Sequence, residues 1–384
     1  MRKYLFLAVL TLALSPWAAF ETAEAGLPYC SKTARQMFGA CRADVNDNFR
    51  EARAKCLNIG DDEERGECFA GAWEERHEES DECFDQREAR YEACDLLGED
   101  RYDPDPLKDP AITFIDPDDI GDTYEPNPYV NLTVGHTYVL RAGEDFEEIV
   151  VVTVTDEVRE AEGYDPDPGD DDAPVVLCRT VVDAVVIEER DEEDGTIDYE
   201  PVEITDDEFA QDVNGAVYYC GEVSRNFEDG YLVDIDGSFF SGIEGAKGGV
   251  LMRAVPAEGE ADRQEWLVGE AEDVVEYVSL ATSPDEENPL FPCNDQCLQT
   301  RDTAALSPGE TEFKYYLEDV GFVLAVALED DTPTGEREEL LCVGDSLAVL
   351  ADPDCGIEDL DELLDELCEL SPDAFCEDDD EEID

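Results

Sequence analysis

Residues 30–94 read CSKTARQMFGACRADVNDNFREARAKCLNIGDDEERGECFAGAWEERHEESDECFDQREARYEAC, and the cysteines in this stretch form a palindrome. Cys30, Cys41, Cys56, Cys68, Cys83 and Cys94 lie 11, 15, 12, 15 and 11 residues apart, so Cys30 with Cys94, Cys41 with Cys83, and Cys56 with Cys68 each sum to 124. A spacing that reads the same in both directions describes a chain folded back at residue 62, with three disulfide rungs between its arms. Ala34, Phe38, Cys41, Val45, Phe49, Ala52 and Cys56 recur at steps of three and four, the stripe of an amphipathic helix. The returning arm offers Cys68, Phe69, Ala72, Cys83, Tyr91 and Cys94. Gly60 is placed to close the first helix, and Asp61 or Asp62 to cap the second, with Glu64 in capping-box position. A two-helix hairpin has one narrow seam and buries little apolar surface, so covalent rungs supply what a core cannot.

Upstream, Arg2 and Lys3 precede an apolar run from Tyr4 to Leu14, and Ala23-Glu24-Ala25 has the A-x-A form of a signal-peptidase site. Residues 1–25 read as a signal peptide, with the mature chain starting at Gly26. The run is too short to span a bilayer, and no other segment approaches the required length, so no membrane span is expected. The chain has 14 cysteines, an even number that in an exported protein reads as disulfides rather than metal ligands. The expected location is periplasmic or extracellular.

The chain carries 104 acidic and 25 basic residues over 384 positions, a net charge of −79. Such a field repels nucleic acid and anionic membrane surfaces and opposes compaction unless salt or divalent cations screen it. Residues 26–100 form the hairpin. Residues 101–128 hold six prolines among many aspartates, including Asp103-Pro104-Asp105-Pro106, and read as a stiff linker. Another acidic stretch, Asp165–Asp172, reads as a loop, and Glu377–Asp384 as a disordered acidic tail.

Beyond the linker the apolar period changes to two. Strands are expected at His136–Arg141, Glu148–Thr155, Val175–Glu189, Val217–Val223, Tyr231–Phe240, Arg263–Val268, Val274–Leu280, Glu312–Leu317, Phe322–Leu328 and Glu338–Val343. Hairpin turns are expected at Asn214-Gly215 and across Asn226–Gly230. Short connections without helical patterns imply antiparallel pairing. The expected fold class is therefore α+β: a disulfide-laced antiparallel helical hairpin, then a curved, half-barrel-like β-meander over 129–345, then a cysteine-containing helical tail over 346–376. In the tail, Ile357, Leu360, Leu363, Leu364, Leu367 and Leu370 share one helical face that plugs or covers the sheet.

Several stretches of the body are similar to a family of exported bacterial proteins known only as hypothetical proteins. They are Phe209-Ala210-Gln211-Asp212 with Asn214-Gly215 and Val217-Tyr218-Tyr219, Gly245-Ala246-Lys247, Arg263-Gln264-Glu265 with Gly269-Glu270-Ala271-Glu272-Asp273, and Glu312-Phe313-Lys314-Tyr315-Tyr316 with Val320-Gly321. The resemblance covers roughly 130–343 and implies no activity. The sequence departs from it at Cys220 and after Val343, which implies added disulfides.

Catalytic chemistry finds few candidates. The histidines are His77 and His136, one on the hairpin and one entering a strand, and no nucleophile motif, P-loop or zinc motif is present. Carboxylate pairs suited to glycoside hydrolysis carry no signal among so many acids. EF-hand registers fail: one on Gly195 puts Arg190 first and Pro201 twelfth, and one on Gly215 puts Ala210 first and Gly221 last. Loosely held calcium or another cation on acidic loops is the remaining metal expectation, with no cofactor. Cys178, Cys220, Cys293, Cys297, Cys342, Cys355, Cys368 and Cys376 allow 105 pairings, of which Cys368 with Cys376 is the local choice. The sequence reads as a non-enzymatic exported protein with a binding or envelope-structural role. The alternatives are a carrier of an apolar ligand in a β groove, a calcium-binding protein and a carboxylate hydrolase. The partner is a protein or an apolar ligand.

Overall fold

The computed structural model describes residues 28–143, 146–161, 175–190, 195–228, 230–309, 311–329 and 332–376. The signal peptide and the start at Gly26, the Asp165–Asp172 loop and the Glu377–Asp384 tail lie outside these residues.

The hairpin consists of α1 (Tyr29–Cys56) and α2 (Asp62–Leu97). Asp61 caps α2 by accepting from the amides of Glu63 and Glu64. Gly60 does not close α1, which ends at Cys56 with Leu57 in right-handed conformation. Leu57, Asn58 and Ile59 still bond back to the last turn, so no left-handed glycine is required. Cys30–Cys94, Cys41–Cys83 and Cys56–Cys68 join the arms at Cα separations of 5.6, 5.8 and 5.6 Å. Between the rungs the seam is filled by aromatic rings flanked by guanidinium groups. Phe38 meets Phe84 at 5.0 Å with Arg42 and Arg87 over the rings, and Phe49 meets Trp73 at 4.5 Å with Arg53 and Arg76.

The body is a large antiparallel sheet. Its strands are β1 (Thr137–Ala142), β2 (Glu148–Glu160), β3 (Leu177–Arg190), β4 (Ile197–Gln211), β5 (Val217–Glu228), β6 (Tyr231–Asp234), β7 (Phe239–Phe240), β8 (Gly249–Met252), β9 (Ala261–Arg263), β10 (Asp273–Thr282), β11 (Cys297–Ala304), β12 (Thr311–Leu317), β13 (Gly321–Glu329) and β14 (Thr332–Gly344). The order is β6-β5-β4-β3-β2-β1-β14-β13-β12-β11-β10-β9, with β7 and β8 also on β5. The chain thus walks outward from β1, crosses to the far edge, and returns until β14 pairs β1.

The path is open, since β6 and β9 do not pair, yet its two ends share one core. Phe209, Val217 and Met252 from one end pack with Val275, Tyr277 and Leu298 from the other. The Lys247–Trp266 bridge brings the ends together. Gly249 permits this approach, because a Cβ there would stand 1.9 Å from the carbonyl oxygen of Gln264.

Strand β11, and β4 up to the residues that enter the Asn214-Gly215 hairpin, lie where the alternation of apolar residues gave no strand. β4 is rich in acids, and β11 carries threonines and an aspartate to the inside: Thr300 is fully buried and Asp302 is 7% exposed. The expected strand at Arg263–Val268 is only the end of β9 followed by the Trp266 bridge, and Tyr231–Phe240 divides into β6 and β7.

Residues 101–128 do not form an extended tether. Asp105 and Asp116 each accept an amide two residues on and start a short 3-10 turn at the following proline. These turns fold the segment onto the body. Leu107 joins a cluster with Val176, Tyr218 and Cys220, while Ile115 and Ile120 enter the core shared by the ends of the sheet. The tail helix α3 (Leu360–Leu370) covers the opposite face of β1–β4, where Leu363 and Leu367 are fully buried against a cluster with Val139, Val151, Val182 and Ile204.

The remaining bridges are Cys178–Cys220, Cys293–Cys297, Cys342–Cys355 and Cys368–Cys376. No cysteine is free, the pattern of proteins from oxidising compartments. Among the described residues no helix is long and apolar enough to cross a membrane.

Candidate functional site

The root of the hairpin is docked on the body, and the docking creates the principal cavity. Arg90 on α2 reaches the turn before β10 and donates twice to Glu272, Nε at 2.7 Å and one terminal nitrogen at 2.8 Å. Both side chains are 6% exposed. The Gly269 amide adds a third bond to Glu272 at 2.7 Å. A buried pair of this kind is costly to break, because the survivor is left charged and unpaired. It forms the floor of a cavity of about 600 Å3.

Three aromatic rings furnish the walls. Tyr102 follows α2 and donates to the Gly248 carbonyl at 2.7 Å. Its ring lies 6.0 Å from that of Trp266. The Lys247 ammonium lies 5.8 Å from the Tyr102 ring and 5.5 Å from the Trp266 ring, and donates to the Tyr102 carbonyl and to Asp103. Tyr29, at the first turn of α1, carries Arg101 at 4.0 Å and Lys32 at 5.1 Å from its ring centre. Arg263, the last residue of β9, lies 5.6 Å from the Tyr102 ring. Burial pulls its guanidinium below the ordinary value, against the opposing pull of Tyr102 and Glu272. Burial pushes the Tyr102 hydroxyl up, so it stays a neutral donor.

The lining contains five bases, Lys32, Arg90, Arg101, Lys247 and Arg263, and three acids, Asp100, Asp103 and Glu272. The chain as a whole has 25 bases to 104 acids. The local sign of charge is therefore inverted.

A second polar centre lies inside the sheet. Asp183, Asp207, Lys314 and Glu338 line a cavity of about 230 Å3 whose other walls include Tyr138, Val152, Phe209 and Phe322. Enclosure by protein raises the carboxyls: Asp183 to about 8, with Asp207 and Glu203 adding, and Glu338 to about 8, with Asp183 and Glu312 adding. Nearby, burial pushes Glu222 up to about 7 and Asp273 up to about 6. Burial also raises Asp207 and Glu265. Lys314 is pulled down by burial but held above its ordinary value by Glu312 and Asp302, at 3.0 and 3.3 Å.

A carboxylate-based glycoside hydrolase needs two carboxyls flanking the scissile bond. Asp207 and Glu222 converge with raised affinities for protons, but they bond to each other, and the Tyr219 hydroxyl lies within hydrogen-bond reach of both with one proton to donate, which leaves no gap for a substrate bond.

The other residues singled out in the sequence are scattered. His77 is exposed on α2. His136 is 7% exposed, with Nδ1 3.4 Å from Asp345 and its ring edge on Tyr138, and burial lowers its proton affinity. Asp212 caps its own hairpin turn, accepting from the Asn214 and Ala216 amides. Among the described residues, the one group of three possible metal ligands is Cys30, Cys94 and Glu99, whose two sulfurs are joined to each other. Lys247, Arg263 and Glu272 stand in the motifs quoted above, while Tyr29, Arg90, Arg101, Tyr102 and Trp266 carried no signal. What marks them in retrospect is scarcity: bases beside aromatic residues in a chain with few bases.

No family model matches the chain, and no curated protein matches it. Among solved structures it is similar to a "putative exported protein with YmcC-like fold" from Bacteroides fragilis, at 11% identity and a TM-score of 0.25, over 58% of this chain and 98% of that one. A likeness of that size carries no argument.

Proposed function

We propose that this is a non-enzymatic exported protein, periplasmic or extracellular, that binds a small molecule between the root of its helical arm and its sheet. The observation that carries this reading is the cavity of about 600 Å3, walled by Tyr29, Tyr102 and Trp266 with a few convergent polar groups. Its size lies within the range of small-molecule sites, roughly 300–1,000 Å3, and its place at the junction of two units is typical of them. All cysteines are in disulfides, and His136 faces Asp345 and Tyr138, so a thiol or serine relay has no support. An apolar carrier built on the sheet has little support, because the inner face is occupied by Ile115, Ile120 and Leu132 and the remaining space has a charged wall.

The test uses the neutral fluorophore N-phenyl-1-naphthylamine with the full, disulfide-intact chain. Saturable fluorescence at one site is expected, and Met37→Trp, which fills the cavity from α1, should abolish it. No saturable signal, or a signal indifferent to that substitution, overturns the reading.

A further inference from the structure

Three cations of the pocket rest on aromatic rings with no carboxylate in contact. Among the described residues, Lys32, Arg101 and Arg263 make no ion pair with any carboxylate. Arg263 is the telling case. It is half-buried, and its guanidinium meets the Cys30 sulfur at 3.6 Å and the face of Tyr102. Glu272 lines the same cavity but is committed to Arg90 and the Gly269 amide. Glu272 therefore acts on Arg263 only from a distance, and drawing a guanidinium out of water with no carboxylate in contact is costly in a chain with 104 acids to offer. The position is instead bordered by Tyr102, Trp266 and the apolar side of α1.

Resting on the pocket being the binding site, we propose that it takes a small aromatic carboxylate. The two carboxylate oxygens dock on Arg263, whose planar fork matches them. The ring lies against Tyr102 and Trp266, with Arg101 and Lys32 screening the entrance. Lys247 is not the anion's partner, because Asp103 and the Tyr102 carbonyl already hold it between the two rings. A single negative charge suits the site better than two, since the walls are largely apolar and each further charge must be desolvated.

The experiment compares 2-naphthoate, 2-naphthylmethanol and 2-naphthyl phosphate, titrated calorimetrically into the full, disulfide-intact chain and checked by displacement of N-phenyl-1-naphthylamine. Naphthoate is expected to bind at least tenfold tighter than the alcohol. Arg263→Gln should weaken naphthoate about tenfold and the alcohol less than twofold, and Arg263→Lys, which keeps the charge and loses the fork, should fall between. If the alcohol displaces the fluorophore as well as naphthoate does, the carboxylate assignment fails while the pocket stands. If the phosphate binds tightest, the assignment is overturned in favour of a phosphate monoester. If the fluorophore shows no saturable binding, the pocket reading itself falls. Should Arg263→Gln not fold, the wild-type ratio and Arg263→Lys still decide.

Discussion

The arm and the sheet meet the same difficulty, a surplus of negative charge, by opposite means. In the arm, α1 and α2 leave their acids in water and rely on three covalent rungs with aromatic layers between them. The sheet encloses Asp183, Asp207, Glu265 and Glu338 beside Lys314, and burial shifts them toward their neutral forms. The arm should therefore be sensitive to reductant, and the sheet to pH.

The largest effect should come from replacing all six arm cysteines with serine. The first rung lost costs on the order of 3 kcal/mol, and a two-helix seam cannot absorb the loss of three. Far-UV circular dichroism should lose most of its helical signal while the sheet still melts cooperatively. A helical arm that survives this change would break the contrast.

Next, Arg90→Ala should cost about 3–5 kcal/mol by stranding Glu272 in the junction. Arg90→Ala with Glu272→Gln together should cost much less than Arg90→Ala alone. Urea denaturation of both variants checks this, and equal losses would mean that the pair is not coupled.

The third prediction separates the regions by pH. Asp183 and Glu338 are raised to about 8, Glu222 to about 7 and Asp273 to about 6, against unfolded values near 4. The folded sheet thus holds more protons than the unfolded chain between pH 4 and 8. Its stability is greatest below pH 4 from these groups and declines as pH rises to 8. Asp183→Asn should recover on the order of 2 kcal/mol at pH 8 and little at pH 4. A sheet equally stable at pH 5 and pH 8 would show that these carboxyls are not enclosed.

The smallest effect concerns salt. About 1 M NaCl, or millimolar calcium, should raise the melting temperature by a few degrees through screening of exposed like charges. Disulfide-intact protein with an unchanged melting curve would assign surface repulsion no part in the balance.

The arm was the most legible region, because six sulfurs with mirror spacing admit one fold-back and the apolar stripe agrees with it. The sheet was legible where valines crowd together between turn signals, as in β2 and β3. It was not legible in most of β4 and in β11, whose inward residues include Asp207, Thr300 and Asp302, since period-two reading presumes an apolar interior. Residues 101–128 misled for a related reason. Proline density suggests extension, but Asp-Pro pairs also start capped turns, and these deliver Leu107, Ile115 and Ile120 to the core. The pocket was hidden because Tyr29, Arg101, Lys247 and Arg263 are distant in sequence and meet only when the arm docks.

The reach of the arm gives it an electrical independence. From Met37, whose end lies against Gly269, to Cys56 at the outer rung is 19 residues (56 − 37), a rise of about 28 Å along α1. The screening length in physiological salt is about 8 Å, so the outer rung lies more than three such lengths along α1 from the Met37–Gly269 contact. Encounters there are governed by Arg53, Lys55, Arg65 and the acids Asp61 to Glu64, rather than by the charge of the whole molecule.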